Sequence, residues 1–149
     1  MLRVQLLPKG ILPRRQTQGS AAYDLFTPEP LALETGLHKI PLKIKIQLPE
    51  NSFGNIRCRS SLAKGGASVE AGIIDEDYRG EVKVLLRVRE HLVVPQGYAI
   101  AQMIIQPYLR PDVRVVNSLG YSDRGEGGFG STDIKNAFGV TLHHQPYKD

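Results

Sequence analysis

The sequence predicts an all-β chain, a sandwich or barrel built from many short strands. Three observations carry this expectation. From His38 to Leu48 the apolar Ile40, Leu42, Ile44, Ile46 and Leu48 alternate with Lys39, Pro41, Lys43, Lys45 and Gln47, the period of two that sends one face of a strand into a core and the other into water. Val82, Val84, Leu86 and Val88 repeat the pattern. Shorter apolar runs at 2–7, 52–58, 91–94, 98–105 and 113–116 are separated by Pro, Gly and Asn at turn positions.

Taken in order, the first run ends at Pro8, which has no N–H to give to a ladder. In the 38–48 strand, Pro41 has the same defect, so the first residues of that strand belong at a sheet edge. One short helix is expected from Ser60 through Lys64, with serine capping its start and Gly65-Gly66 stopping it. Residues 71–82 hold three carboxylates, a phenol and a guanidinium between two glycines just before the 82–88 strand, which suggests a β-hairpin with polar groups on its tip. From Ser118 to Asp133 there is neither alternation nor an apolar face, so this stretch is read as flexible.

The chain has 149 residues, 41% of them hydrophobic, enough for one modest core and one domain. Residues 1–123 are read as the core domain, 124–132 as a flexible lid and 133–149 as an extension of unknown role. The opening Met1–Leu7 lacks the apolar stretch of a signal peptide, and no later run is long enough to span a bilayer. A soluble intracellular protein, cytoplasmic or nuclear, is expected, without a membrane partner. The single cysteine, Cys58, fits a reducing compartment. His38, His91, His143 and His144 have no cysteine or acidic neighbour at metal-ligand spacing, which argues against a zinc site. The net charge of +4 is dispersed, so nucleic acid is not an expected partner.

Three groups of residues carry chemistry. Arg124 to Thr132 packs four glycines, one arginine, two hydroxyls and one aromatic ring into nine residues. Such a loop can bring backbone N–H groups, Ser131, Thr132 and the Arg124 guanidinium close to an anion rich in oxygens, while Phe129, beside Gly130, stacks on a flat ring. Around Ser60 and Ser61, the cations Arg57, Arg59 and Lys64 suit one polyphosphate better than a duplex. On the 71–82 hairpin, Asp75 directly follows Ile73 and Ile74, at the edge of an apolar wall where a carboxylate can orient and deprotonate a water. Tyr78 offers a flat face beside it.

These groups, in this order, resemble the five motifs of the trimeric deoxyuridine triphosphate nucleotidohydrolases, the dUTPases. The motifs run as Ala21-Ala22-Tyr23-Asp24-Leu25, Arg59-Ser60-Ser61-Leu62-Ala63, Gly72 through Gly80, Gly97 through Ile104, and the Gly-rich loop from Arg124. The resemblance implies a compact β-barrel-like jelly roll, assembled as a homotrimer with active sites shared between subunits. It implies hydrolysis of dUTP to dUMP and pyrophosphate, with Mg2+ on the triphosphate. In that family the position of Asp75 activates the water that attacks the α-phosphorus, and the position of Asp24 meets the metal through water. Tyr78 falls on the residue that stacks beneath the deoxyribose and excludes a 2′-hydroxyl. Backbone groups of the hairpin, at Gly72 and Ile74, fall where the uracil edge is read. Ser60, Ser61, Gln102 and Arg59 fall on the phosphate side, where Arg59 either touches phosphate or braces the loop. Arg124 would clamp the γ-phosphate with help from Ser131 and Thr132, and Phe129 would cap the base.

Several positions depart from the family pattern: Ala22 and Ser61 stand for usual glycines, Cys58 for a proline, Val88 for an asparagine, Tyr98-Ala99 for an Asp-Arg pair and Asp133 for a glycine. Two other functions share parts of the pattern. A dCTP deaminase has the Arg-Ser-Ser-Leu-Ala motif, but Leu85 stands where its catalytic glutamate is expected. A dUTPase-like regulatory protein that senses nucleotide and holds a protein partner would leave no necessary mark.

Overall fold

The structure, a computed structural model, describes residues 1–130. Ten strands and one short helix follow in the order β1 (Arg3–Leu6), β2 (Tyr23–Phe26), β3 (Leu31–Leu33), β4 (Gly36–Gln47), β5 (Ser52–Arg57), α1 (Ser60–Lys64), β6 (Ala67–Glu70), β7 (Ile73–Ile74), β8 (Glu81–Val88), β9 (Leu92–Val94) and β10 (Ala99–Pro107). They form two four-stranded antiparallel sheets, β1-β4-β8-β6 and β2-β10-β5-β7, with a ribbon of β3 and β9. This is the expected all-β jelly roll, with no closed barrel. All of these elements lie in one compact unit, Met1–Arg110.

The alternation in β4 and β8 does what the period of two predicts. Ile40, Leu42, Ile44 and Ile46 from β4 and Val82, Val84, Leu86 and Val88 from β8 are buried in one cluster with Leu25, Ile100, Ala101 and Met103 of the other sheet. Each of these Val, Leu, Ile and Met side chains contributes about 1.5–3 kcal/mol when taken fully out of water. Pro41 tolerates its place because only β8 flanks that half of β4: Pro41 lies opposite Lys83, whereas β1 pairs with β4 from Ile44 onward.

Two sequence expectations need correction. The helix begins where predicted, but its N-cap is Arg59 and no side chain caps it; Ser60 and Ser61 are the first helical residues. Both serines are exposed on the first turn. Residues 113–116 form no strand, and Val113 and Val115 are 97% and 95% exposed. An apolar run shows that a segment could be buried, but a strand also needs a neighbour for its backbone donors and acceptors. Residues 111–130 contain no helix or strand.

One close approach positions the hairpin. Ile56 of β5 donates its N–H to the carbonyl of Gly72 at 2.6 Å. A Cβ on Gly72 would collide with the Ile56 carbonyl oxygen, so only glycine lets the hairpin rest on β5 there. Gly72→Ala should therefore push the hairpin off β5 and destabilise the fold by about 1–3 kcal/mol, as overpacked sites do. Urea unfolding would register this as a lower midpoint, and an unchanged midpoint would show that the contact is not needed.

Candidate active site

The chain enters the hairpin through β6 and leaves through β8, which pair from Ala67↔Val88 to Glu70↔Leu85. Between them it does not close directly. Ala71 turns with φ 41°, and β7 crosses to the second sheet, pairing Ile73 and Ile74 with Asn55 and Gly54 of β5. The expected hairpin is thus split between both sheets, with residues 75–80 projecting as its tip. Ile74 is buried and Asp75, the next residue, is exposed. In the tip, Tyr78 N–H donates to the Asp75 carbonyl at 3.1 Å.

Tyr78 is anchored at both its hydroxyl and its ring. Its hydroxyl donates to the Glu81 carbonyl at 2.8 Å. Its ring lies against Gly80, where a Cβ would come within 2.6 Å of the ring carbon Cζ. The result is a shallow cleft of ≈190 Å³ lined by Ile73, Ile74, Asp75, Tyr78, Glu81, Val82 and Lys83. It brings together an apolar wall, a flat ring and a carboxylate at the rim, the arrangement expected of Asp75 and Tyr78. Glu81 was not anticipated. Its Oε1 is buried without a hydrogen-bond partner, with Lys43 Nζ 3.7 Å away.

A second cluster gathers Asp24, Arg59 and Gln102 from three parts of the chain. Asp24 and Gln102 are cross-strand neighbours of β2 and β10, and Gln102 also lies opposite Arg57 of β5. Arg59, just beyond β5, places Nε 3.3 Å from Asp24 Oδ1 and donates from Nη1 to the Ala99 carbonyl at 3.3 Å. Gln16 donates to the other Asp24 oxygen, and Gln102 Nε2 donates to the Cys58 carbonyl at 3.1 Å. Arg59 is therefore a brace between strands in this structure. Ser60, Ser61, Arg57 and Lys64 are exposed beside it. Burial pushes the Cys58 thiol above its usual range.

Between these clusters, an open groove of ≈380 Å³ is lined by Asn55, Ile56, Arg57, Cys58, Ser68, Val69, Gly72 and Ile73. The edges of β5 and β7 meet there. A third set of contacts, unforeseen in the sequence, lies behind the hairpin tip: Tyr108 donates its hydroxyl to Glu76 Oε2 at 2.8 Å. That bond, ahead of the Asn51 backbone and the charges of Arg110 and Arg79, holds the Glu76 carboxyl below the usual carboxylate range and pushes the Tyr108 phenol up.

In residues 111–130 the Gly-rich loop folds on itself. Arg124 Nε donates to the Gly127 carbonyl at 2.7 Å, and Gly127 N–H returns a bond to the Arg124 carbonyl at 3.1 Å. Phe129 is 99% exposed. Gly125, Phe129 and Gly130 have positive φ of 58°, 51° and 85°. Ser131, Thr132 and the 133–149 extension lie outside the described residues.

No group of three or more His, Cys, Asp or Glu side chains among the described residues converges as a metal cage. Magnesium does not require one, since it keeps several waters and is commonly held by substrate phosphates with one or two carboxylates. Asp24, with its side chain 6% exposed and both oxygens engaged by Arg59 and Gln16, is not placed as a direct ligand.

The dUTPase family model matches residues 9–133. The chain is 38% identical over 138 residues to the deoxyuridine 5'-triphosphate nucleotidohydrolase of Paramecium bursaria Chlorella virus 1, covering 90% of this chain and 98% of that protein. Among solved structures, a point mutant of the Staphylococcus bacteriophage 80alpha dUTPase with dUpNHpp superposes with a TM-score of 0.81 at 24% identity, over 90% of this chain and 99% of that one. A point mutant of the dUTPase from phage phi11 of S. aureus, described with a structural Mg(II) ion, gives 0.74 at 22% identity, over 81% and 99%. The polar hairpin tip, the Asp24–Arg59–Gln102 cluster and the Gly-rich loop thus occur in a fold and sequence framework that runs through most of the chain, which belongs to the dUTPase family.

Proposed function

We propose that this chain hydrolyses dUTP to dUMP and pyrophosphate, with Asp75 as the general base. One observation carries the residue assignment: Asp75 stands exposed at the rim of a cleft, immediately after buried Ile74 and beside the fixed ring of Tyr78. A carboxylate there can take a proton from a water as the water oxygen bonds to the α-phosphorus. The bond from the α-phosphorus to the bridging oxygen breaks, pyrophosphate leaves with the electron pair, and the base later returns its proton to solvent. The reaction keeps uracil out of DNA and supplies dUMP for thymidylate synthesis.

The chain's other residues position the substrate. Ser60, Ser61 and Gln102 face the phosphates, Arg59 braces the strands behind them, and Asp24 would meet Mg2+ through water. When bound with the triphosphate, Mg2+ supplies neutralisation of the phosphate oxygens. Backbone groups at Gly72 and Ile74 read the uracil edge. Because the Gly72 carbonyl is engaged by Ile56, its contribution is the N–H. Residues 124–132 close as a lid, Arg124 on the γ-phosphate with Ser131 and Thr132, and Gly130 giving Phe129 the backbone freedom to cover the base. Residues 1–123 precede the lid, with the compact unit Met1–Arg110 as their folded core, and 133–149 follow it.

The site is completed in a homotrimer. Asp75 lines a cleft with Tyr78, whereas Asp24, Arg59 and Gln102 gather in a separate cluster, and assembly from more than one subunit would bring the two to one substrate. Leu109, Val113, Val115, Leu119 and Tyr121 are each at least 89% exposed, an apolar run suited to a subunit partner. No helix among the described residues is long and apolar enough to cross a membrane. We place the protein in the cytoplasm or nucleus, where its one free thiol, Cys58, suits a reducing medium.

Product analysis tests the reading. With dUTP, dCTP and UTP offered separately, dUTP should give dUMP and pyrophosphate. Ammonia released from dCTP would instead identify a deaminase, a chemistry for which Leu85 offers no acid or base. Tyr78→Ala should raise kcat/KM for UTP relative to dUTP by about tenfold or more, since the ring excludes the 2′-hydroxyl sterically. An unchanged ratio would remove Tyr78 from that role.

A further inference from the structure

We propose that Tyr108 and Glu76 form a brace that holds the neighbouring Asp75 in line with the water it deprotonates, so that Tyr108 is a positioning residue for the hydrolysis. The inference rests on the reading of Asp75 as the base. Asp75, Asp77, Tyr78 and Arg79 at the hairpin tip are all exposed, and Glu76 is the one acidic residue among them that is partly buried. Within the tip itself, the turn is closed by Tyr78 N–H on the Asp75 carbonyl and by Arg79 Nη1 on the Glu76 and Tyr78 carbonyls at 2.8 and 3.1 Å. These bonds shape the turn, and the Tyr78 hydroxyl on the Glu81 carbonyl links it to the start of β8, but none of them reaches the chain beyond β10.

Tyr108 provides the tie. It is the first residue beyond β10, and its N–H donates to the Asn51 carbonyl at 3.1 Å. Its ring meets Phe53 of β5 edge-on, with centroids 5.9 Å apart and planes at 78°. Arg110 covers the other side of the ring, its guanidinium carbon 5.3 Å from the centroid, while Nη2 donates to Asn51 Oδ1 at 3.0 Å and lies 3.7 Å from Glu76 Oε2. Tyr108 is thus held by Asn51 just before β5, Phe53 of β5 and Arg110 beyond β10 before its phenol donates to Glu76. A hydroxyl-to-carboxylate bond is stronger and more directional than a neutral one. Glu76 and Asp75 share a peptide unit, so the bond limits how far the Asp75 backbone can turn. Displacing a reacting group by about 1 Å can cost about 10²-fold in rate without any change in the groups present.

A brace that only stabilised the fold would lower the unfolding midpoint and spare kcat. One that positions the base splits kcat from binding. In the full-length chain, Tyr108→Phe should lower kcat on dUTP about tenfold, with KM and the affinity for a non-hydrolysable dUTP analogue within about twofold of wild type. Glu76→Ala should give the same split, and the double variant should be no slower than the slower single one, as for two halves of one contact. Glu76→Gln keeps an acceptor for the phenol and should recover kcat to within about threefold of wild type. Should Tyr108→Phe fail to fold, the Glu76→Ala and Glu76→Gln pair gives the same reading. Wild-type kcat in Tyr108→Phe, losses that multiply in the double variant, or an equal loss of analogue affinity would overturn the brace while leaving the dUTPase reading in place. A wild-type chain that leaves dUTP intact would overturn that reading, and the brace with it.

Discussion

Asp75→Asn is expected to lower kcat on dUTP by about 10²–10⁴-fold, the range that a positioned general base contributes, while affinity for a non-hydrolysable dUTP analogue stays within about tenfold of wild type. The amide keeps the size and polarity of the carboxylate but cannot accept the proton of the attacking water. Because the Asp75 side chain is exposed at the rim and belongs to no ion pair among the described residues, the substitution breaks no fold contact, and stability should be unchanged. Rapid-quench measurement with equilibrium binding separates the two quantities. Turnover at the wild-type rate would show that the base lies elsewhere.

Arg124→Ala should be nearly as damaging, lowering kcat/KM for dUTP by about 10²–10³-fold, the range for removing one donor to charge that develops in the transition state. Without nucleotide, the guanidinium satisfies itself on the Gly127 carbonyl of its own loop at 2.7 Å, a neutral partner that a phosphate oxygen can replace with a stronger, charge-assisted bond. Lysine at this position should restore only part of the loss, since it lacks the planar fork. Steady-state kinetics on the alanine and lysine variants would check this, and wild-type kcat/KM in the alanine variant would remove Arg124 from the γ-phosphate.

β4 and β8 were legible because a sustained alternation has one physical cause, a face turned to the core. β4 and β8 follow their patterns residue by residue. β2, β3, β6 and β7 have two to four residues each, too few for a period to stand out, and their pairing depends on partners far away in the chain. At 113–116 a short apolar run gave a false strand, because such a run cannot name the surface that covers it. The serine cap failed for a related reason: the residue type permits a cap, but Arg59, drawn back to Asp24, already occupies the capping position.

The site divides in the same way. Asp75 was readable from its place after two isoleucines, and Tyr78 from its place beside the carboxylate. The resemblance added Asp24 and Gln102 on motif order alone. What could not be read were the partners these residues take: Gln16 on Asp24, the Ala99 carbonyl on Arg59, and Tyr108 on Glu76 across 32 positions of sequence. Nothing in local composition marks a hydroxyl that reaches a carboxylate through the ends of two strands. Gly72 and Gly80 were visible as glycines, but the reasons for them, the Ile56 carbonyl and the Tyr78 ring, exist only in three dimensions.

Asp75 and Arg124 of this chain are expected to serve one dUTP-hydrolysing site and to come to it from different subunits. Co-refolding equal amounts of Asp75→Asn and Arg124→Ala chains tests both parts at once. Each protein alone should be nearly inactive. In a mixed closed ring, a site is intact when its Asp75 comes from an Arg124→Ala chain and its Arg124 from an Asp75→Asn chain, so random assembly should restore about a quarter of the wild-type sites. Activity near that level, in particles that light scattering shows to be trimers, is the predicted result. Mixed trimers whose activity stays at the level of the single variants would contradict it.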